Sequence, residues 1–96
     1  MPRSKIEQIR EKIRLRQYDM TVHAVEEMAE DDLDIIDVEQ AVLTGRIARI
    51  ERDDPRGDKY VIEGAATDSL TVVGVLRRFT NRDRYLIVTV YEISKA

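Results

Sequence analysis

The hydrophobic pattern of this chain changes its period at Gly45, and that change constrains the fold more than any other feature. Before Gly45, apolar residues recur every three or four positions, which is the spacing of one helix face; after it, apolar and polar residues largely alternate, as they do in strands. Helices followed by strands indicate an α+β protein. We therefore expect two to three N-terminal helices packed on one face of a four-stranded antiparallel sheet.

Residues typical of helix ends divide the first half of the chain into three helices. Ser4 can cap the first helix, Thr21 the second and Asp34 the third, because each side chain can accept a hydrogen bond from a free backbone amide. Gly45 should end the third helix, since glycine tolerates the left-handed conformation common at helix C-termini. The apolar stripe expected to face inward from the second helix consists of Val22, Val25, Met28 and Ala29.

Turn-forming sequences divide the second half into four strands. The turns are DDPRG, AATDS and TNRD, each rich in residues that favour turns. They separate strands predicted near residues 46–52, 58–64, 69–78 and 84–93. Connections this short make consecutive strands antiparallel neighbours.

Alternation sorts the last two strands into two faces. The rows predicted to face the helices are Leu70, Val72, Gly74 and Leu76 in one strand and Leu86, Val88 and Val90 in the next. The opposite face then displays Arg77, Thr89 and Tyr91, a cation beside two hydroxyl groups.

Length and composition limit the classes of function. At 96 residues the chain is expected to form a single domain, residues 1–96. It has no cysteine and one histidine, which excludes disulfides, thiolate metal sites and a histidine-rich metal site. We expect no metal and no other cofactor. No apolar run approaches the ~20 residues that span a bilayer, and no apolar signal-peptide core opens the chain, so we expect a cytoplasmic protein without membrane association.

Acidic residues are concentrated in the middle of the chain. Residues 17–45 carry nine Asp or Glu and no Lys or Arg, whereas the whole chain has a net charge of −3. Two interpretations are open: solvated helix faces, or a non-catalytic interaction module that binds a basic partner through residues 26–39. No helix-turn-helix pattern is present, so DNA is not expected as a partner.

The only histidine, His23, lies at the start of the second helix. Metal-independent cleavage of RNA needs a base, an acid and a cation for the charge that develops on phosphorus. His23 can serve as acid or base, and Arg77 can neutralise phosphate. A lone histidine in a structural role and an arginine in a solvated strand-end role remain open alternatives.

Four motifs follow one another over about three quarters of the chain. They are TVHAVEEM at 21–28, DVEQAVLTG at 37–45, DDPRGDKYVIEG at 53–64 and TVYE at 89–92. With these motifs the chain resembles, from Tyr18 to Glu92, the bacterial and archaeal family called domain of unknown function 4258. That family is similar to the RelE and barnase-like ribonuclease toxins.

The resemblance implies a RelE-like fold and a toxin-like, metal-independent endoribonuclease of a toxin–antitoxin system, or a descendant of one. It implies RNA as the substrate and a small antitoxin-like protein as a partner. The matching positions are His23, Thr89 and Tyr91, which it assigns to catalysis, and Tyr60, which it assigns to substrate binding. Arg77 joins Tyr60 in substrate binding through its predicted place on the sheet face, not through a family motif.

The chain departs from the family pattern at two positions. Glu27 and Asp31 stand where the family usually carries arginine. We expect both carboxylates on the exposed side of the second helix, where reversed charge would weaken the binding of RNA phosphates.

Overall fold

The computed structural model describes residues 4–67, 71–78 and 83–93. Its elements, in chain order, are α1 (Lys5–Arg14), β1 (Tyr18–Met20), α2 (Val22–Glu30), α3 (Ile35–Thr44), β2 (Arg46–Glu51), β3 (Lys59–Ala65), β4 (Thr71–Arg78) and β5 (Tyr85–Ile93). The start predicted for the third strand, with the inward placement of Leu70, lies outside the described residues. The three helices and the four predicted strands are confirmed as an α+β fold.

The predicted helix caps are confirmed. The hydroxyl of Ser4 accepts the amide of Glu7 at 3.3 Å, and the hydroxyl of Thr21 accepts the amide of Ala24 at 3.0 Å. Asp34 caps α3 and is capped in return, because it exchanges side-chain-to-backbone hydrogen bonds with the residue three positions later. Each helix therefore begins where its first free amides find an acceptor.

Gly45 ends α3, but the conformation predicted for it is wrong. Its backbone is extended, with φ −90° and ψ −171°, and not left-handed. A Cβ atom at this position would collide with the carbonyl oxygens of Ala41 and Glu63. Glycine is needed here because α3 and β3 approach each other too closely for any side chain, and the helix stops against the sheet.

The sheet has five strands in the order β1-β5-β4-β3-β2, so the prediction of four antiparallel strands is wrong in number and in pairing. Strands β2 to β5 form the expected antiparallel meander, while β1 pairs with β5 in parallel, Tyr18 opposite Tyr85 and Met20 opposite Ile87. Strand β1 was not predicted for two reasons. Its three residues are too few to show the alternation of a strand, and its parallel partner lies more than 60 positions away, so no turn sequence connects the two.

All three helices pack against one face of the sheet. The buried cluster draws on every helix and on strands β3 to β5: Ile9, Ile13, Ala24, Leu33, Val38, Ala41, Val42, Tyr60, Ile62, Ala66, Val72, Leu76, Tyr85, Ile87 and Val90. The opposite face carries no helix in the described part of the chain. None of the described helices has the length and hydrophobicity to cross a membrane.

An irregularity in β5 changes which residues face the helices. The register shifts on β5 so that Val75 pairs with Thr89 but Leu76 pairs with Ile87, which leaves Val88 as an extra residue. The inward row predicted for β4 is confirmed at Val72 and Leu76, its two large members within the described residues, both fully buried.

The inward row predicted for β5 is wrong on one side of this bulge. Tyr85 and Ile87 are buried in the core, and Leu86 and Val88 are not. Val90, beyond the bulge, is buried as predicted. The extra residue reverses the alternation, and a bulge of this kind leaves no mark in a pattern of apolar residues.

The apolar stripe predicted to face inward from α2 is confirmed at Met28, which packs against the core, and is wrong at Val22, Val25 and Ala29, which are exposed. Val22 is 74% exposed and Val25 48% exposed, whereas Ala24 is buried and Met28 is partly buried in the core. The helix lies along β5 and turns a face of small and acidic side chains towards it. The physical reason is that carboxylates on this side of the helix accept hydrogen bonds from backbone amides at the edge of β5.

A cationic cleft on the open face of the sheet

A cleft of about 280 Å³ opens where the start of α2, the outer face of the sheet and the turn between β2 and β3 meet. Its lining residues are Thr21, His23, Asp54, Arg56, Lys59, Arg77, Val88 and Thr89. Because its walls come from separate parts of the chain, the cleft exists only in the folded protein.

The sheet places three polar side chains along the cleft. Lys59 and Arg77 are directly opposite each other on β3 and β4, so their side chains lie on the same face. Thr89 pairs with Val75 on the neighbouring β5 and shares that face. The bulge at Val88 brings two consecutive residues of β5 to the cleft, where a regular strand would present one.

The turn after β2 holds the two arginines through one carboxylate. Asp54 is 3.1 Å from the Arg56 guanidinium and 3.4 Å from that of Arg77, and its side chain is only 9% exposed. The hydrogen bonds from Arg56, with the charge of Arg77, lower the pKa of Asp54 to about 2. Gly57 adopts φ +128°, a value that favours glycine, and the turn closes over the Arg77 side chain.

The charge of the cleft differs in sign from that of the whole molecule. Among its lining residues are three cations, Arg56, Lys59 and Arg77, and one carboxylate, Asp54, in a chain of net charge −3. Glu51 lies 3.6 Å from Lys59 and offsets part of this charge. A concave surface with an excess of cations, a hydroxyl and an imidazole suits an anionic ligand such as a phosphodiester.

His23 stands at the rim of the cleft in the first turn of α2. Its side chain is 66% exposed, and its Nε2 lies 3.3 Å from the Glu27 carboxylate one helical turn later. The side-chain hydroxyl of Thr21, the residue that caps this helix, donates to the carbonyl of Val88 at 3.0 Å. This bond fastens the start of α2 to the bulge of β5, so the position of the imidazole over the cleft is tied to the sheet.

The structure brings together three of the five residues that the sequence singled out. His23, Arg77 and Thr89 line one cleft. Tyr91 lies two positions beyond Thr89 on the same face of β5, 37% exposed but outside the lining of the cleft. Tyr60 is on the other face, 9% exposed in the core, with the Lys5 ammonium 5.5 Å from its ring centroid.

Sequence reasoning did not assign five of the eight lining residues to a site: Thr21 and Val88, and the charged residues Asp54, Arg56 and Lys59. A signal for Lys59 was present, because an antiparallel meander with a short turn places the start of β3 opposite the end of β4, where Arg77 was already assigned outward. The shared carboxylate of Asp54 had no such signal, since hydrogen bonds within a turn depend on its backbone path.

Glu27 and Asp31 were expected on the exposed side of the second helix, but both are partly buried, so that expectation is wrong. The amide of Val90 donates to Glu27 Oε1 at 3.0 Å, and the amide of Glu92 donates to Asp31 Oδ2 at 3.1 Å. Strand β1 ends at Met20, and from there the side chains of α2 replace it as partners for the edge of β5. Arginine carries no acceptor and could not fill this role.

No group of three or more His, Asp or Glu side chains converges on a metal position within residues 4–67, 71–78 and 83–93.

The fold and the cleft define a small α+β domain with a cationic site on its open sheet face. Residues 20–92 match the model of the family described as Domain of unknown function (DUF4258), and the chain belongs to that family. Every residue that lines the cleft falls within the matched range. Searches of the curated proteins and of the solved structures found no significant match.

Proposed function

We propose that this protein is a metal-independent endoribonuclease, related to the RelE and barnase-like toxins, that cleaves RNA in the cationic cleft. The observation that carries the proposal is the convergence of His23, Arg77 and Thr89 on one cleft, although His23 lies more than 50 positions before the other two in sequence. In a metal-free phosphoryl transfer, the imidazole can act as the base, the guanidinium as the cation and the hydroxyl as a hydrogen-bond donor to the phosphate.

The proposed reaction begins when His23 accepts the proton of a ribose 2′-hydroxyl. The 2′-oxygen then attacks the adjacent phosphorus, and the bond from phosphorus to the 5′-oxygen breaks as that oxygen takes a proton from a solvent water molecule, giving a 2′,3′-cyclic phosphate and a 5′-hydroxyl end. Arg77, with Lys59 and Arg56, neutralises the charge that develops on the phosphate oxygens. The hydroxyl of Thr89 donates a hydrogen bond to one of those oxygens.

Two features of the substrate follow from this chemistry. DNA lacks the 2′-hydroxyl and cannot react by this route, so RNA is the expected nucleic acid. Tyr91, beyond the cleft on the same strand, either stacks on a base next to the cleaved bond or assists in proton transfer. We further propose a small antitoxin-like protein as the partner that restrains the activity, and the cytoplasm as the place where both act.

The proposal is tested by incubating the purified protein with a mixed mRNA substrate in EDTA and comparing wild type with His23→Ala. The expected result is cleavage by wild type, with products ending in cyclic phosphate, and a loss of about two orders of magnitude or more in the variant. Glu30→Ala, an exposed change on the same helix, is the matched control. Absence of cleavage by wild type, or equal cleavage by His23→Ala, would contradict the proposal.

The second candidate is a non-catalytic module that binds a basic partner through residues 26–39. Of the eight acids in this segment, five have structural partners: Glu27 and Asp31 at the edge of β5, Asp34 and Asp37 in the cap of α3, and Glu39, which accepts the hydroxyl of Tyr18 at 2.6 Å. Because these five acids are engaged within the fold, less negative charge remains for binding a partner than the sequence indicated.

What favours the second candidate is the exposed surface of α2. Glu26 and Glu30 are exposed beside the exposed apolar side chains of Val22 and Val25. A basic partner held there should dissociate as salt rises, with affinity falling by an order of magnitude or more between low and physiological salt. A complex that is insensitive to salt, or unaffected by Glu26→Lys, would contradict this reading.

A further inference from the structure

The Glu27 carboxylate contacts two groups that belong to different parts of the fold. Its Oε1 accepts the amide of Val90 at 3.0 Å, and its Oε2 lies 3.3 Å from Nε2 of His23. One oxygen is therefore anchored to the sheet while the other faces the imidazole at the rim of the cleft.

The anchor restricts the carboxylate. The Glu27 side chain is 22% exposed, whereas that of His23 is 66% exposed, so the acid is the more enclosed partner of the two. A hydrogen bond from a backbone amide within the sheet holds one oxygen of the carboxylate, and this directs the other oxygen towards the histidine. An exposed imidazole would otherwise rotate freely and exchange its proton between two nitrogens.

We infer that Glu27 is a positioning residue for His23: it keeps the ring proton on Nε2, so that Nδ1 carries the lone pair that accepts the proton of the substrate. The inference rests on the proposed function, in which His23 is the base. A carboxylate that faces one ring nitrogen favours a proton on that nitrogen, and the other nitrogen is then the acceptor.

Glu27→Gln separates this role from the structural role of the acid. The amide oxygen of glutamine can still accept the amide of Val90, and its NH₂ group then takes the place of the oxygen that faced His23. A donor in that place favours a lone pair on Nε2 and a proton on Nδ1, the reverse of the wild-type arrangement. The edge of β5 stays paired while the proton moves to the wrong nitrogen.

The tautomer can be read directly because His23 is the only histidine in the chain. Two-bond ¹H–¹⁵N correlation spectra of the neutral ring identify which nitrogen is protonated. We expect wild type to hold the proton on Nε2 and Glu27→Gln to hold most of it on Nδ1. Asp31→Asn, which alters the other acid at the strand edge, should give the wild-type spectrum.

The same variants are compared in RNA cleavage. For Glu27→Gln we expect kcat to fall about ten- to a hundredfold with KM within twofold of wild type. Asp31→Asn should retain wild-type kcat. If Glu27→Gln does not fold, Glu27→Asp takes its place; its shorter side chain cannot reach both Val90 and His23, and the same loss in kcat with unchanged KM is required.

The results separate the inference from the proposed function. If wild type does not cleave RNA, the proposed function fails and the inference fails with it. If wild type cleaves and Glu27→Gln has either the wild-type tautomer or the wild-type kcat, the inference alone is overturned. A reversed tautomer together with a reduced kcat, both absent in Asp31→Asn, supports it.

Discussion

The carboxylate of Asp31 accepts a hydrogen bond from the backbone amide of Glu92 at 3.1 Å, across 61 positions of sequence. Amides at the edge of a sheet normally pair with another strand or with water. Here β1 stops after three residues, and α2 supplies acids in place of the missing length of strand. A helix thereby covers a strand edge with side chains, which explains why its inner face is acidic.

Replacement of Asp31 by arginine should destabilise this protein. The amide of Glu92 would lose its acceptor in a partly buried place, and the free energy of unfolding should fall by about 1–2 kcal/mol. Urea denaturation followed by circular dichroism measures this change. Glu30→Arg makes the same charge change at an exposed position of α2 and should alter stability by less than about 0.5 kcal/mol. Equal effects of the two variants would show that net charge, and not the strand edge, governs stability.

Gly64 should tolerate no side chain. A Cβ atom there would overlap the carbonyl oxygen and carbon of Ala41, which belong to the backbone of α3 and cannot rotate away. Gly64→Ala should therefore cost about 3 kcal/mol or more, or prevent folding. Gly74 provides the control within the same sheet, because its added Cβ would meet only the Leu76 side chain at 3.5 Å. Thermal unfolding that shifted equally in Gly64→Ala and Gly74→Ala would contradict the close approach of α3 to β3.

Local patterns predicted most of the fold, and contacts distant in sequence caused the errors. The caps at Ser4, Thr21 and Asp34 depend on residues three positions apart, and all three are as expected. Strand β1 and the bulge at Val88 depend on pairing across the sheet, and neither was predicted. The predicted orientation of α2 was wrong for the same reason. The helix packs beside a strand edge, where backbone amides bind hydrogen-bond acceptors and not apolar side chains.

The residues of the cleft were also predicted correctly where local patterns determine them and incorrectly where they do not. His23, Arg77 and Thr89 were assigned from a motif and from alternation, and they meet in one cleft. Tyr60 belongs to a matching motif, yet alternation along β3 puts it in the core. Lys59 could have been placed beside Arg77 from the antiparallel order of the strands, whereas the bonds of Asp54 to Arg56 and Arg77 depend on the backbone path of the turn.

Asp54 should make the stability of the protein depend on pH in the acid range. Its pKa of about 2 in the folded state is lower than that of a free aspartate, so its ionised form is favoured by folding. The stabilisation is complete above the pKa of the unfolded chain, near 4, and is lost as the pH falls towards 2. Melting temperatures between pH 5 and 2 should fall less steeply in Asp54→Asn than in wild type. Parallel curves for the two proteins would show that Arg56 and Arg77 do not hold this carboxylate in solution.

In the proposed cleavage of RNA, Tyr91 can have one of two roles: its ring stacks on a base, or its hydroxyl transfers a proton. It is 37% exposed and two residues beyond Thr89, so its ring can stack on a base that emerges from the cleft. We expect Tyr91→Phe to keep kcat and KM within about twofold, and Tyr91→Ala to raise KM about tenfold, because only the second change removes the ring. A loss of kcat in Tyr91→Phe would instead assign the hydroxyl to proton transfer.

In the proposed cleavage of RNA, Thr89 should contribute to kcat/KM through its hydroxyl alone. Its side chain lines the cleft on the same face as Arg77, and threonine and valine differ in little but the replacement of a hydroxyl by a methyl group. Removing a hydrogen bond to a charged phosphate oxygen costs about 1.5–3 kcal/mol, so kcat/KM for RNA should fall about ten- to a hundredfold in Thr89→Val. Thr71, which pairs with Ile93 far along β4 from Arg77, provides the control, and Thr71→Val should leave cleavage unchanged. If both variants cleave at the wild-type rate, Thr89 is only a strand residue, and the phosphate must be held by Arg77, Lys59 and Arg56 without it.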